Sequence, residues 1–243
     1  MKFKIAALLL LMALPGVIVT SWIALPLLVD VSKTPVPLET LQVASAVQGA
    51  VFVLIAALVG ASLAPRVGLA APAVSAVASR GSVLNALRPQ VVPGLVGGAI
   101  GAIVILGFYV FAPESLKAIQ PDTPLPLVVR VLYGGITEEV LVRWGLMTVL
   151  VWVGWRALRR DLQEPSAGII WGAIAISALV FGLSHLPSVA QSLPAVTPYF
   201  AAYVTIGNAL FGLIAGHLFW RYGLEAAVIA HVSAHILAFV IRG

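Results

Sequence analysis

Seven apolar stretches, at about residues 4–29, 41–64, 91–112, 127–155, 167–186, 197–220 and 223–241, dominate the chain. Each approaches the roughly 20 residues that a helix needs to cross a bilayer core about 30 Å thick. Hydrophobic residues make up 61% of the 243, charged residues 9%, and the mean hydropathy is +1.08. Soluble domains are about one quarter charged, and a soluble core cannot absorb this much apolar surface. The expectation is an all-α fold, a polytopic transmembrane helix bundle of about seven spans.

Turn chemistry separates the spans: Lys33-Thr34-Pro35-Val36-Pro37, Ala71-Pro72 through Pro89, Pro121-Asp122-Thr123-Pro124, Asp161 to Pro165, and Pro187 to Pro198. Seven spans leave no room for a soluble domain, and neither an internal repeat nor a low-complexity tail is visible. Residues 1–90 are read as two N-terminal transmembrane helices with their connecting loop, and 91–243 as the transmembrane core that carries the chemistry. Met1-Lys2-Phe3-Lys4 ahead of an apolar run imitates a signal peptide, but the run continues through Trp22 to Val29 without a small-residue cleavage site. It is read as an uncleaved first span.

The pI near 9.9 does not point to nucleic acid, because the 14 Lys and Arg residues are dispersed and lack an interleaved aromatic pattern. They report topology instead. With the N-terminus inside, Lys2, Lys4, Arg66, Arg80, Arg88, Arg156, Arg159, Arg160 and Arg221 fall on the cytoplasmic side, against Lys33, Lys117 and Arg242 on the other. An integral protein of a bacterial-type inner or plasma membrane is expected, with membrane lipids as its surroundings. The chain has no cysteine, which excludes disulfides, thiolate metal sites and a cysteine nucleophile.

Two basic residues, Arg130 and Arg143, lie inside the fourth apolar region. Arg130 can snorkel at its edge; Arg143 needs a partner. The surrounding stretch, Gly134-Gly135-Ile136-Thr137-Glu138-Glu139-Val140-Leu141-Val142-Arg143, places two carboxylates and a guanidinium where each costs about 2.5–3.5 kcal/mol to insert. On a helix Glu139 and Arg143 are i and i+4, the orientation that suits a salt bridge, which leaves Glu138 on another face for other work. A carboxyl desolvated beside a second carboxylate suits a general base near neutral pH. The same three residues can equally be a structural network tying helices together.

Two histidine motifs follow. Phe181-Gly182-Leu183-Ser184-His185-Leu186-Pro187 ends the fifth span on a histidine just before a helix-stopping proline. In the last span, Ala230-His231-Val232-Ser233-Ala234-His235 sets two imidazoles at i and i+4 on one face, the geometry for a shared metal or for two donors aimed at one atom, or for two satisfied core residues. His217, near Arg221, reads as structural. Glycines 94, 97, 98 and 101, with Gly212 and Gly216, form small-xxx-small pairs that let helix backbones approach. By helical count Glu138, His185 and His231 to His235 sit at compatible depth.

The ordered set Glu138-Glu139-x-x-x-Arg143, Phe181-x-x-x-His185 and His231-x-x-x-His235, over roughly residues 90–241, resembles the CPBP family, which includes the CAAX prenyl endopeptidases and Abi-type immunity proteins. The resemblance implies an intramembrane endopeptidase acting on membrane-associated or lipid-modified peptides or proteins. It implies that Glu138 and His185 activate water, that His231 and the residue four positions on stabilise the oxyanion, and that Glu139 with Arg143 supports them. Position 235 is His where the family commonly has Asn. A glutamate-type, metal-independent protease is favoured, with zinc the alternative cofactor, held by Glu138, His185, His231 and His235.

Two other classes use the same residues: a non-catalytic membrane adaptor or immunity protein with a polar structural core, and a proton-coupled carrier. The carrier is disfavoured because no pair of matching interrupted helices is visible. An embedded site must admit water and an extended peptide, so the Gly134-Gly135 pair and the 187–198 loop are candidate mobile elements. The charge count places the site toward the non-cytoplasmic face, where a prenylated cytosolic tail is not found.

Overall fold

The computed structural model describes residues 1–29, 34–117, 125–159, 161–187 and 196–242. The turn signals at Lys33 and at 121–124, and most of the 187–198 loop, lie outside them. The chain is all-helical: α1 (Lys2–Leu28), α2 (Leu38–Val67), α3 (Pro72–Ser79), α4 (Val83–Val110), the single turn α5 (Glu114–Lys117), α6 (Leu127–Leu158), α7 (Ala167–Ser184), α8 (Pro198–Tyr222) and α9 (Leu224–Arg242).

Among the described residues six of these helices, α1, α2, α4, α7, α8 and α9, are long and apolar enough to cross a membrane. The seventh predicted span is α6, set apart by the charges it carries and by π-helical turns at Arg130–Thr137 and Val140–Met147 between its α-helical ends. Large apolar side chains cover the exterior: Val47 is 59% exposed and Ile103 69%. Such a surface is stable against lipid tails and costly against water.

Backbones approach closely at the predicted small residues. A Cβ on Gly94 would meet Ile229, and one on Gly101 would meet the ring of Phe211 and Ala234, so α4 and α9 run parallel in close contact. Gly212 and Gly216 lie against Ala178 and Ile174, which pairs α7 with an antiparallel α8. The stretch through Pro89, read as a loop, is helix. Ser82 caps α4 by accepting the Asn85 N–H, and Pro89 and Pro93 lie inside it. Interior prolines are tolerated in membrane helices because neighbouring helices re-satisfy the freed carbonyls.

The site helix α6 packs against α1, α2, α7, α8 and α9. The N-terminal helices are therefore part of its walls. The hydroxyl of Thr137 donates to the Ala13 carbonyl at 2.7 Å, and the Trp144 indole N–H to the Ala57 carbonyl at 3.3 Å. A Cβ on Gly16 would collide with Thr137 and the Leu132 carbonyl, and one on Gly60 with the Trp144 indole.

At the end remote from Arg130 a second polar cluster joins α3, α4 and α9. Glu225 accepts the Val74 N–H at 2.9 Å, Gln90 accepts the Ala226 N–H at 3.0 Å, and Leu224 donates to the Ala70 carbonyl at 3.0 Å. Glu225 thus satisfies an orphan donor in the first turn of α3. Gly223 makes the turn into α9 at φ +117°, where a Cβ would also strike Pro72.

Candidate active site

The π turns set the register of the site. A π-helix bonds i to i+5, is rare, and concentrates at functional positions. Here the Glu138 N–H donates to the Tyr133 carbonyl, while the hydroxyls of Thr137 and Thr148 bond back to the carbonyls of Leu132 and Arg143, five residues earlier. The Gly134-Gly135 pair is no break in the helix: both residues are buried within a π turn and pressed against α9, where a Cβ on Gly135 would meet Val232 and one on Gly134 would lie 2.8 Å from His235 Nε2.

The charged groups then fall into two tiers. Glu139 and Arg143 are fully buried and His231 is 4% exposed. Glu139 Oε2 is 3.3 Å from Arg143 Nε, and Glu139 Oε1 accepts the His231 Nδ1–H at 2.8 Å, joining helices α6 and α9 across 92 residues of sequence. Arg143 also donates through Nη2 to the Gly212 carbonyl at 3.2 Å and lies over the Phe181 ring at 4.8 Å. One carboxylate is therefore shared by a guanidinium and an imidazole.

Glu138, His185 and His235 form the second tier, each only partly buried. Glu138 and His235 flank the same glycine: a Cβ at Gly134 would sit 3.8 Å from Glu138 Oε2 as well as against His235. His235 stacks on His231, centroids 4.9 Å apart. His185 enters through Phe181, whose ring it meets edge-on at 4.8 Å and whose carbonyl accepts its Nδ1–H at 2.8 Å, which makes Nε2 the basic nitrogen of the neutral ring. Phe181 also faces His231 at 6.0 Å, so one ring touches both histidine motifs and the arginine.

Residues 120–237 match the family model described as type II CAAX prenyl endopeptidase Rce1-like. This segment belongs to the Rce1-like family. The Rce1-like segment holds α6, α7, α8 and most of α9, with every motif residue inside it, while α1 to α4 lie outside. No curated protein and no solved structure is significantly similar to the chain. The family match supports a CAAX-type intramembrane protease at the level of the family, and the six apolar helices among the described residues support an integral membrane protein.

Within the Rce1-like segment no three His, Asp or Glu side chains among the described residues are grouped so as to hold a metal ion. Of the zinc set Glu138, His185, His231 and His235, His231 bonds Glu139 through Nδ1 and His185 bonds a carbonyl through Nδ1, which leaves Nε2 as the donor atom that each of these two rings could offer a metal. Contacts missed from the sequence are apolar or distant. Phe211 packs on His231 at 4.4 Å, and the Gly212 carbonyl receives Arg143; neither residue type signals its role. His217 lies away from the site, stacked on Trp171 at 5.6 Å with Trp220 edge-on.

Proposed function

We propose that the chain is an intramembrane endopeptidase of the glutamate type, hydrolysing peptide bonds of membrane-associated or lipid-modified substrates. The observation that carries this reading is the division of the two adjacent glutamates: Glu139 is buried and shared between Arg143 and His231, whereas Glu138 stands partly exposed beside His235. A paired carboxylate is a support; one with an open side can meet water.

In this scheme Glu138, with His185, takes a proton from water as its oxygen attacks the peptide carbonyl carbon. The carbonyl π bond becomes an oxyanion, which accepts hydrogen bonds from His231 and His235. Collapse breaks the C–N bond, and the proton held by Glu138 passes to the leaving amine. His231 already donates Nδ1–H to Glu139, so donation through Nε2 as well requires the protonated ring, with Glu139 as its counter-charge. His235, stacked on that ring, then donates as a neutral imidazole. Glu139 and Arg143 position the set. No step uses a metal.

We take the N-terminus as cytoplasmic from the basic-residue count, with a bacterial-type inner or plasma membrane as the setting. The site then opens toward the non-cytoplasmic face. The reading is tested by incubating reconstituted wild type, Glu138→Ala and His231→Ala with a lipid-anchored peptide library in H2(18)O. Label in a new carboxyl terminus from wild type alone supports water-based cleavage; equal products from all three proteins reject it.

A further inference from the structure

The end of the bundle that carries the site also carries two arginines that no acid among the described residues meets. Arg130 opens the first π turn of α6, is half-buried, and spends its Nε–H on the Leu125 carbonyl at 2.9 Å. A guanidinium has five N–H donors, so this bond anchors the group without satisfying it. Arg242, in the last turn of α9, lays its guanidinium over the Tyr109 ring of α4 at 3.2 Å. The first turn of α6 packs against α9, the helix that carries His235 and, in its last turn, Arg242.

The ion pairs of the described residues are Lys117 with Glu114, Arg143 with Glu139, Arg159 with Asp161 and His231 with Glu139. Neither Arg130 nor Arg242 is among them. Two like charges held near each other at the edge of an apolar region repel and are poorly hydrated, and both costs fall when an anion bridges them. Both arginines sit at helix ends, the level at which lipid phosphates lie, and a planar guanidinium fits two phosphate oxygens at once.

We propose that Arg130 and Arg242 form a binding site for a phosphate ester at the end of the bundle where α6 begins and α9 ends, beside the helix that carries His235, and that it takes the headgroup of an anionic phospholipid. Arg130 is anchored through Leu125 and Arg242 through Tyr109, so the two guanidiniums are held in place before the phosphate arrives. The site is independent of peptide cleavage and stands or falls by binding alone.

The test is native mass spectrometry of the full chain in a neutral maltoside detergent, titrated with phosphatidylglycerol or phosphatidylcholine. Wild type retains phosphatidylglycerol in preference to phosphatidylcholine. Arg130→Gln and Arg242→Gln each weaken that retention about fivefold, as expected for one cation near a membrane surface. Arg66→Gln, an exposed residue at the opposite end of the bundle, leaves it unchanged. Displacement of the lipid by micromolar glycerol 1-phosphate assigns the site to soluble phosphate esters; resistance at millimolar concentration assigns it to lipid. Wild-type retention in both arginine variants, or an equal loss in Arg66→Gln, overturns the proposal. Gel filtration and thermal unfolding establish that each variant is folded.

Discussion

His231 Nδ1 lies 2.8 Å from Glu139 Oε1, and the same carboxylate faces Arg143 through its other oxygen at 3.3 Å. Glu139 is thus the joint between the Glu-Glu-Arg helix and the two-histidine helix. Removing its charge leaves a guanidinium and an imidazole buried together without a counter-ion, the costly half of a broken buried pair. Glu139→Gln is expected to lose about 3 kcal/mol of stability and most activity, whereas Glu138→Gln keeps the wild-type unfolding temperature. Thermal unfolding in detergent of both variants checks this; equal destabilisation contradicts the division of roles.

Gly134 leaves the space that Glu138 and His235 share. A Cβ there would lie 2.8 Å from His235 Nε2, whereas one on Gly107 would meet nothing within 4 Å. Gly134→Ala should displace His235 and cut the cleavage rate about 10- to 100-fold, the cost of misplacing a catalytic group by about 1 Å. Gly107→Ala should leave the rate unchanged. Comparable rates for the two variants contradict the assignment of His235 to the site.

The N-terminal helices hold the site helix although they lie outside the matched segment. Gly60→Ala drives a methyl into the Trp144 indole, which already bonds the Ala57 carbonyl. Overpacking of this kind costs about 1–3 kcal/mol. A lowered unfolding temperature with loss of activity is expected, and an unchanged protein would show that α2 is dispensable to the site.

The glutamate-type scheme predicts the response to chelators. Because Glu138 itself takes the proton from water in that scheme, 1,10-phenanthroline should leave cleavage unaltered and purified protein should carry far less than one zinc per chain. Loss of activity restored by zinc contradicts this.

Orientation is accessible because the chain has no cysteine of its own. A cysteine at the exposed Val196, beside the N-terminus of α8, should react with an impermeant maleimide from the non-cytoplasmic side only. Reaction from the cytoplasmic side alone would invert the topology and bring the site to the face where prenylated tails lie.

The helices and the charged triplet were legible because both are anomalies of composition: long apolar runs are rare in soluble chains, and Glu138, Glu139 and Arg143 are rare in apolar runs. The Glu139–His231 bond was not, because spacing within one helix reports only i+3 and i+4 neighbours and this partner is 92 residues away. The π turns were hidden for a related reason: hydrophobic periodicity assumes 3.6 residues per turn, and Tyr133 under Glu138 follows the i+5 rule. Phe181 is marked by its place in the Phe181-x-x-x-His185 motif, whereas Phe211 reads like any core aromatic. Pro89 signals a loop because proline breaks soluble helices, whereas a membrane helix tolerates it.

The measurement that tests the central claim most directly is single-turnover cleavage by Glu138→Gln in proteoliposomes, beside wild type, with a peptide that wild type cuts. The amide keeps size and hydrogen bonding but cannot take a proton from water. A folded Glu138→Gln protein should be slower by at least about 100-fold, the contribution of a general base. Cleavage at the wild-type rate would contradict Glu138 as the water-activating residue.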